Sequence, residues 1–241
     1  MFFLSKNINY YYTKFFFQKQ VFYVKILIGD DIMRKKERAE AFFDILAETY
    51  PDGICSLEYE TPLQLLIATQ LSAQCTDARV NIVTRDLFKK YPDALAFANA
   101  DLKELEQDIK STGFYHNKAK NIIACCKKIL SDFGGAIPDN MDDMLSLAGV
   151  GRKTANLVLG DIFGKGGMVI DTHAKRILKR VGLTTETDPV KVEKDTENLL
   201  PRDKHSDFCH RLVLHGRAFC TARNPKCDTC PSSSICKKVA L

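Results

Sequence analysis

Apolar residues recur at spacings of three and four along most of the chain, which is the pattern that the buried face of an α-helix produces. The first such stretch covers residues 34–50 and ends at Pro51. Further helices are predicted to open at Thr61 and to span residues 76–90, 100–112, 118–133, 141–147, 153–163, 172–181, 190–200 and 204–217. Strand-type alternation is almost absent, so the sequence predicts an all-α fold.

The composition is that of an ordinary globular protein able to bury a core. Of the 241 residues, 45% are hydrophobic and 27% are charged, which excludes a largely disordered chain. No run of 18 uncharged apolar residues occurs, which argues against a transmembrane helix and predicts no membrane partner. The formal net charge of +5 permits a polyanionic partner without requiring one.

Residues 1–32 differ in composition from the rest of the chain. Aromatic residues cluster there in runs at 10–12 and 15–17. Lysines interrupt the apolar stretches and no small-residue cleavage pattern follows, so the segment does not look like a secretory signal. We expect a non-domain extension translated from upstream sequence, with Met33 as the true start; a targeting or membrane segment is the alternative.

Four of the nine cysteines crowd the end of the chain with the spacing C-x6-C-x2-C-x5-C, at Cys220, Cys227, Cys230 and Cys236. Zinc sites usually pair two C-x2-C units, and only one occurs here, whereas a [4Fe-4S] cluster accepts wider and unequal loops. The absence of a secretory signal disfavours disulfides. The spacing therefore favours iron–sulfur over zinc, and either metal over disulfides. The other five cysteines are predicted to be small apolar core residues.

The loop between the first two of these cysteines carries Arg223 and Lys226. Two cations on a loop that is held at both ends would form a rigid basic surface suited to phosphate. A solvated loop is the alternative.

The segment Gly149-Val150-Gly151-Arg152 joins two predicted helices. Its glycines permit a tight hairpin and allow another molecule to approach the main chain. The second helix begins just after Gly151, so its free N–H groups and dipole form an anion site that suits DNA phosphate. A nucleotide-binding P-loop is disfavoured because its lysine must follow a glycine, and Arg152 precedes the lysine here.

Lys153 lies in the first turn of that second helix. The helix dipole and neighbouring Arg152 both disfavour a protonated amine at this position. A neutral amine is a nucleophile able to form a Schiff base with a sugar carbon. Phosphate binding is the alternative role for this lysine.

Asp171 precedes Thr172-His173 at the start of another predicted helix. Its simplest role is to cap that helix. Its functional role would be a carboxylate that faces Lys153, accepts protons and stabilises a positively charged sugar intermediate. Both roles are compatible, because a capping carboxylate can still face a cleft.

The glycine hairpin ending in lysine, the Val-Ile-Asp-Thr-His stretch 18 residues on and the closing cysteines occur together in this order. This combination resembles the endonuclease III family of helix-hairpin-helix DNA glycosylases with lyase activity. The resemblance runs from about Met33 to about Cys236. It also includes residues 71–77 and 214–217. Two positions depart from the family pattern: Ala148 stands where proline is common, and Phe114 replaces a commoner leucine.

The resemblance implies two helical domains that flank a DNA cleft. Residues 55–164 would form a six-helix barrel domain with the helix-hairpin-helix motif at about 141–163. Residues 33–54 and 165–241 would form a discontinuous iron–sulfur domain that holds a [4Fe-4S] cluster on the four closing cysteines. Lys153 would be the nucleophile and Asp171 the catalytic carboxylate. Gln74 would fill the gap left by a flipped nucleotide, and Phe114 would be the wedge that enters the duplex.

The implied enzyme is a bifunctional DNA N-glycosylase and abasic-site lyase of base excision repair. Its partner would be double-stranded DNA containing damaged pyrimidines or abasic sites. Attack by Lys153 on C1′ would expel the base, and the resulting imine would promote β-elimination 3′ to the abasic site. A monomer in the bacterial cytoplasm, associated with the nucleoid through DNA, is expected.

Three other functions remain possible on sequence grounds. An adenine-specific mismatch glycosylase would share the cluster, but it lacks the hairpin lysine. A monofunctional mismatch thymine glycosylase is also disfavoured by Lys153. A non-catalytic DNA-binding module would use the hairpin only to bind phosphate.

Overall fold

The computed structural model describes residues 34–239 and Leu241, and this part of the chain is helical without any strand. The all-α prediction is therefore confirmed. No helix in the described ranges is long and apolar enough to cross a bilayer. The prediction that residues 1–32 are upstream sequence concerns a segment outside the described residues.

Eleven α-helices follow one another in the described part of the chain. They are α1 (Lys35–Thr49), α2 (Pro62–Leu71), α3 (Asp77–Lys90), α4 (Ala94–Ala98), α5 (Leu102–Asp108), α6 (Tyr115–Phe133), α7 (Met141–Ser146), α8 (Arg152–Phe163), α9 (Thr172–Val181), α10 (Pro189–Thr196) and α11 (His205–Ala218). Short 3-10 turns occur at Lys110–Thr112, Arg202–Lys204 and Cys227–Thr229.

Side-chain caps fix where most of these helices begin. Thr61 accepts a hydrogen bond from the Gln64 amide at the start of α2, and Pro62 occupies the first helical position. Aspartate or asparagine performs the same capping at α4, α5, α7, α9 and α10. Glycines in the left-handed conformation end α6, α8 and α9. Local sequence therefore sets the helix bounds on which the site depends.

The buried apolar residues form two separate clusters. The first extends from Leu57 to Leu159 and centres on α2, in which every residue from Leu65 to Leu71 is buried. A helix that is apolar on all sides lies inside the core and not at its surface. The second cluster joins α1 to α9 and α11, with the Phe42 and Phe208 rings in edge-to-face contact at 5.8 Å.

Polar contacts join the two clusters where α8 meets α10. The side-chain amide of buried Asn156, on α8, donates to Glu193 Oε1 at 2.9 Å. Arg152, at the start of the same helix, donates to both Glu193 oxygens at 2.7 and 2.9 Å. These contacts fix the orientation of the helix that carries Lys153.

Candidate functional site

The predicted hairpin forms between α7 and α8, and α8 begins at Arg152 as expected. Gly149 has a φ of +73°, and a Cβ there would lie 2.8 Å from the Asn121 Cβ. Glycine is therefore required both by the backbone conformation and by the contact with α6. Gly151 caps α8 with no side-chain acceptor, and a Cβ there would meet only open space. The first N–H groups of α8 thus face a surface that another molecule can reach.

The hairpin side chains are placed unequally for contact with DNA. Val150 is buried in the first apolar cluster, which leaves only its main chain for such a contact. The Arg152 guanidinium is paired with Glu193, whose side chain is only 6% exposed. The predicted phosphate role of Arg152 would therefore require its departure from Glu193 or a shared contact.

Lys153 and Asp171 line the same cleft, which has a volume of about 520 Å³. The α8 helix supplies Lys153, which is exposed, and Asp171 is half-buried at the start of α9. Asp171 Oδ1 accepts a hydrogen bond of 2.7 Å from the Ala174 amide. The capping role is thus present, and the capped carboxylate still reaches the cleft.

His173 is a cleft residue to which the sequence argument gave no role of its own. Burial lowers the pKa of the His173 imidazole. The charge of Asp171 acts against this shift, and the charge of Lys153 adds to it. Both groups therefore act electrostatically on one ring. A Cβ at Gly216 would lie 2.4 Å from His173 Nδ1, so that glycine makes room for the imidazole.

Arg217 is a second cleft residue that sequence reasoning missed. Its guanidinium lies 3.1 Å from Asp77 Oδ2, so a cation and a carboxylate face each other across the cleft wall. The signal was available, since Arg217 closes the Leu-His-Gly-Arg stretch that matched the family pattern. The helical pattern alone, however, does not distinguish Arg217 from an arginine on a solvent-exposed face.

Gln74 and Phe114 lie around a second, smaller cavity that Gly149 also lines. Both are non-glycine residues in the left-handed conformation, with φ of 55° and 50°. Such backbone strain is concentrated at functional sites. The Phe114 side chain is 64% exposed, although it is one of the largest apolar groups in the protein. The structure thus places both predicted DNA-inserting residues beside the hairpin.

The four closing cysteines line one common cavity, and none of them forms a disulfide. Burial raises the pKa of the Cys230 thiol, and the three other sulfurs add to this shift. Among the described residues, no three of these sulfurs lie within 4.8 Å of one another. Sulfurs around a single zinc would be about 3.8 Å apart, given Zn–S bonds of about 2.3 Å. The wider arrangement fits a cube that binds one sulfur at each corner.

Basic and aromatic side chains surround this cysteine cavity. Arg180 donates to Cys220 Sγ at 3.4 Å and to the carbonyls of Thr221 and Ala222 at 2.6 and 3.0 Å. His215 Nε2 lies 3.5 Å from Cys230 Sγ. A donor toward sulfur stabilises a cluster with anionic thiolate ligands, so the Arg180 contact also fits iron–sulfur.

Hydrogen bonds hold both parts of the loop that carries Arg223 and Lys226. Thr221 donates to the Asn224 carbonyl at 2.6 Å, and Arg180 holds the first part of the loop. Both cationic side chains are exposed, and neither lines the cleft that contains Lys153. A contact with phosphate there would lie outside the catalytic cleft.

Comparison with known proteins decides the family. Residues 67–202 match the HhH-GPD superfamily base excision DNA repair protein model, and residues 220–231 match the iron–sulfur binding domain of endonuclease III. Endonuclease III of Synechocystis sp. is 50% identical over 203 residues, which cover 84% of this chain and 93% of the relative. The chain belongs to the endonuclease III family.

Two solved structures of endonuclease III are similar to this chain. One is a non-covalent endonuclease III–DNA complex, and the other is a trapped endonuclease III–DNA covalent intermediate. Each is 40% identical, has a TM-score of 0.80 and covers 86% of this chain and 97% of its own. The predicted family and enzyme class are therefore confirmed: this member of the family is a base excision repair glycosylase with lyase activity. Its predicted [4Fe-4S] cofactor is confirmed as well.

Proposed function

We propose that Lys153 is the nucleophile and Asp171 the catalytic carboxylate, and that the substrate is an oxidised pyrimidine in double-stranded DNA. The observation that carries the proposal is the shared cleft, which holds both side chains beside the hairpin. Its volume of about 520 Å³ lies within the range of small-molecule sites, so it can hold one flipped base and sugar. The two DNA complexes of endonuclease III support duplex DNA as the partner.

The hairpin would bind the DNA backbone next to the lesion. The uncapped start of α8 presents N–H groups to a phosphate, and the absence of a side chain at Gly151, where a Cβ would point into open space, lets the DNA backbone approach. Exposed Arg223 and Lys226 would contact a more distant phosphate. This set of contacts fixes position and does not read sequence.

Gln74 and Phe114 would occupy the space that the flipped nucleotide leaves. Both side chains are exposed beside the hairpin, on strained backbone that fixes their direction. An apolar wedge offsets part of the cost of unstacking, which is smallest for a damaged base. The ring of Phe114 can stack on a base as well as separate two bases.

In the chemical step, the neutral amine of Lys153 attacks C1′ of the flipped nucleotide. The N–C1′ bond forms as the C1′–base bond breaks, and the base leaves with its bonding electrons and takes up a proton. Asp171 stabilises the positive charge that develops on the sugar and accepts the proton lost by the amine. Because Lys153 is exposed in the protein alone, its desolvation requires the bound DNA.

Ring opening then gives a protonated imine between Lys153 and C1′. This imine acidifies the C2′ hydrogen, and loss of that proton breaks the C3′–oxygen bond. The strand is cut on the 3′ side, and hydrolysis of the imine frees the lysine. An oxygen nucleophile would release the base without this second step.

Cys220, Cys227, Cys230 and Cys236 are proposed as the ligands of the [4Fe-4S] cluster. When bound, the cluster supplies four iron–thiolate bonds that organise the end of the chain. Residues 55–164 would form the barrel domain, and residues 33–54 with 165–241 the cluster domain. The two apolar clusters support this division. We further propose that the enzyme acts as a monomer on nucleoid DNA in the cytoplasm.

Borohydride trapping tests the role of Lys153. Reduction of the imine should link the wild-type protein covalently to duplex DNA containing an abasic site, whereas Lys153→Gln should give no adduct and still bind that DNA. Lys165→Gln is the matched control, because Lys165 pairs with Asp139 and does not line the cleft. Normal trapping by Lys153→Gln would overturn the assignment.

A further inference from the structure

Three metal-ligating side chains meet outside the cysteine cluster, at one wall of the cleft. Cys55 Sγ, a carboxylate oxygen of Asp161 and a ring nitrogen of His210 all lie within 4.8 Å of one another. The three residues come from the loop before α2, from α8 and from α11. They therefore belong to three separate parts of the chain that folding brings together.

The contacts between these groups show how closely they converge. His210 Nε2 lies 2.9 and 3.0 Å from the two Asp161 oxygens. The Asp161 side chain is 6% exposed and that of His210 is 17% exposed, so both are withdrawn from bulk water. Ser206 donates a hydrogen bond to Asp161 Oδ1. Such a donor holds a carboxylate in the orientation that a metal ligand needs.

A hydrogen bond between a histidine and an aspartate on two helices would by itself be an ordinary structural contact. With Cys55, however, the two residues form a three-donor set, in which each residue offers one atom to a metal. Its half-buried thiol faces Asp161. Burial raises the pKa of this thiol to about 12, and the charges of Asp161 and Asp77 act in the same direction. Asp161 thus places a carboxylate beside the sulfur. A divalent cation would bind both groups and would displace the thiol proton.

We propose that Cys55, Asp161 and His210 bind one Zn²⁺ ion, separate from the iron–sulfur cluster. Sulfur, imidazole nitrogen and carboxylate oxygen are the three ligand types that zinc takes. In a tetrahedral site these atoms would be roughly 3.3–3.8 Å apart. His210 Nε2 and Asp161 Oδ1, now 2.9 Å apart, would therefore separate by about 0.4 Å, and the Cys55 sulfur already lies within 4.8 Å of both. Binding releases the Cys55 proton to solvent, and His210 coordinates through Nε2 while its one proton is on Nδ1.

Cys55 and His210 both line the cleft that contains Lys153, which gives the ion a way in from solvent. The fourth position of the zinc would face that cleft and hold water. The ion would tie the loop before α2 to α8 and α11. Its role would be structural: it would hold the cleft wall together and would not contact the reacting atoms.

Zinc binding can be measured on the full chain with its iron–sulfur cluster intact. The protein is titrated with Zn²⁺ against a chromophoric chelator, and bound zinc and iron are then counted by mass spectrometry. We expect one zinc per chain and an unchanged iron content. Cys55→Ser and Asp161→Asn should each lose zinc without losing iron. Ser206→Ala should weaken zinc binding by roughly 10- to 100-fold, because it removes only the orienting hydrogen bond.

Cys75→Ser is the matched control, since Cys75 is also half-buried and lines the same cleft but is not part of the three-donor set. It should bind zinc as the wild type does. Cd²⁺ added to the wild-type protein should produce a thiolate-to-metal charge-transfer band, a readout that needs no variant. Absence of zinc uptake, absence of that band, or equal zinc affinity in Cys55→Ser and wild type would overturn the proposal.

Discussion

Lys118 donates a hydrogen bond of 2.7 Å to the main-chain carbonyl of Leu71. The same ammonium group donates to the Thr112 carbonyl at 2.8 Å. Leu71 ends α2 just before Gln74, and Thr112 lies two residues before Phe114. One buried lysine therefore links the two turns that carry the proposed DNA-inserting residues. Burial lowers the pKa of this lysine, and the two carbonyls offset part of the cost of its buried charge.

Lys118→Met should uncouple these two turns. Two buried carbonyls would lose their donor, so we expect the free energy of unfolding to fall by about 2–3 kcal/mol. Glycosylase turnover on a lesion-bearing duplex should fall further than turnover on an abasic site, which needs less unstacking. Denaturant unfolding and the two rates measure these effects. The control is Lys120→Met, at an exposed position of the same helix; an equal loss there would contradict the argument.

Asp171 allows its capping role to be separated from its chemical role. Asn caps a helix as well as Asp does, so Asp171→Asn should leave the thermal midpoint nearly unchanged. Asp171→Ala should lower the stability by about 1 kcal/mol, because the Ala174 amide loses its acceptor. Both variants should lose most of their turnover, since neither has a carboxylate. Wild-type turnover by Asp171→Asn would reduce this residue to a cap.

The helical fold could be read from the sequence because most helices here have a clear start and stop. Asp171 and Thr61 were visible as caps, and glycines ended α6 and α8 where the pattern stopped. The predicted helix at 100–112 is instead α5 followed by a 3-10 turn, and the five-residue α4 was missed. Short elements give too few turns for the apolar period to register.

The site was predictable only where residue type and spacing restrict the chemistry. A lysine after a glycine hairpin and four cysteines with unequal spacing met that condition. Lys118 and the Cys55–Asp161–His210 set did not, because their partners are 6 to 155 residues away in sequence. An isolated lysine or histidine carries no local signal of what it will contact. Pairing across the fold is information that only the structure supplies.

The iron content of the protein tests the four proposed cluster ligands. The purified wild type should be yellow-brown and contain about four irons per chain. Cys227→Ser should lower the iron content and give poorly soluble protein, because the end of the chain loses its organising centre. Cys126→Ala, at a buried position of the first apolar cluster, should keep the iron. A colourless wild-type protein with zinc in place of iron would contradict the assignment.

Phe114 offers a substitution in which stability and activity should move apart. Its φ of 50° is costly for any residue with a Cβ, and glycine adopts that conformation without strain. Phe114→Gly should therefore leave the free energy of unfolding unchanged or raise it by up to about 1 kcal/mol. The ring is 64% exposed, so its removal costs little packing.

Turnover of Phe114→Gly on a lesion-bearing duplex should nevertheless fall, because the wedge is gone. Phe114→Leu, which keeps an apolar wedge, should retain most of the turnover. If Phe114→Gly processes the lesion as fast as the wild type does, Phe114 is not the wedge.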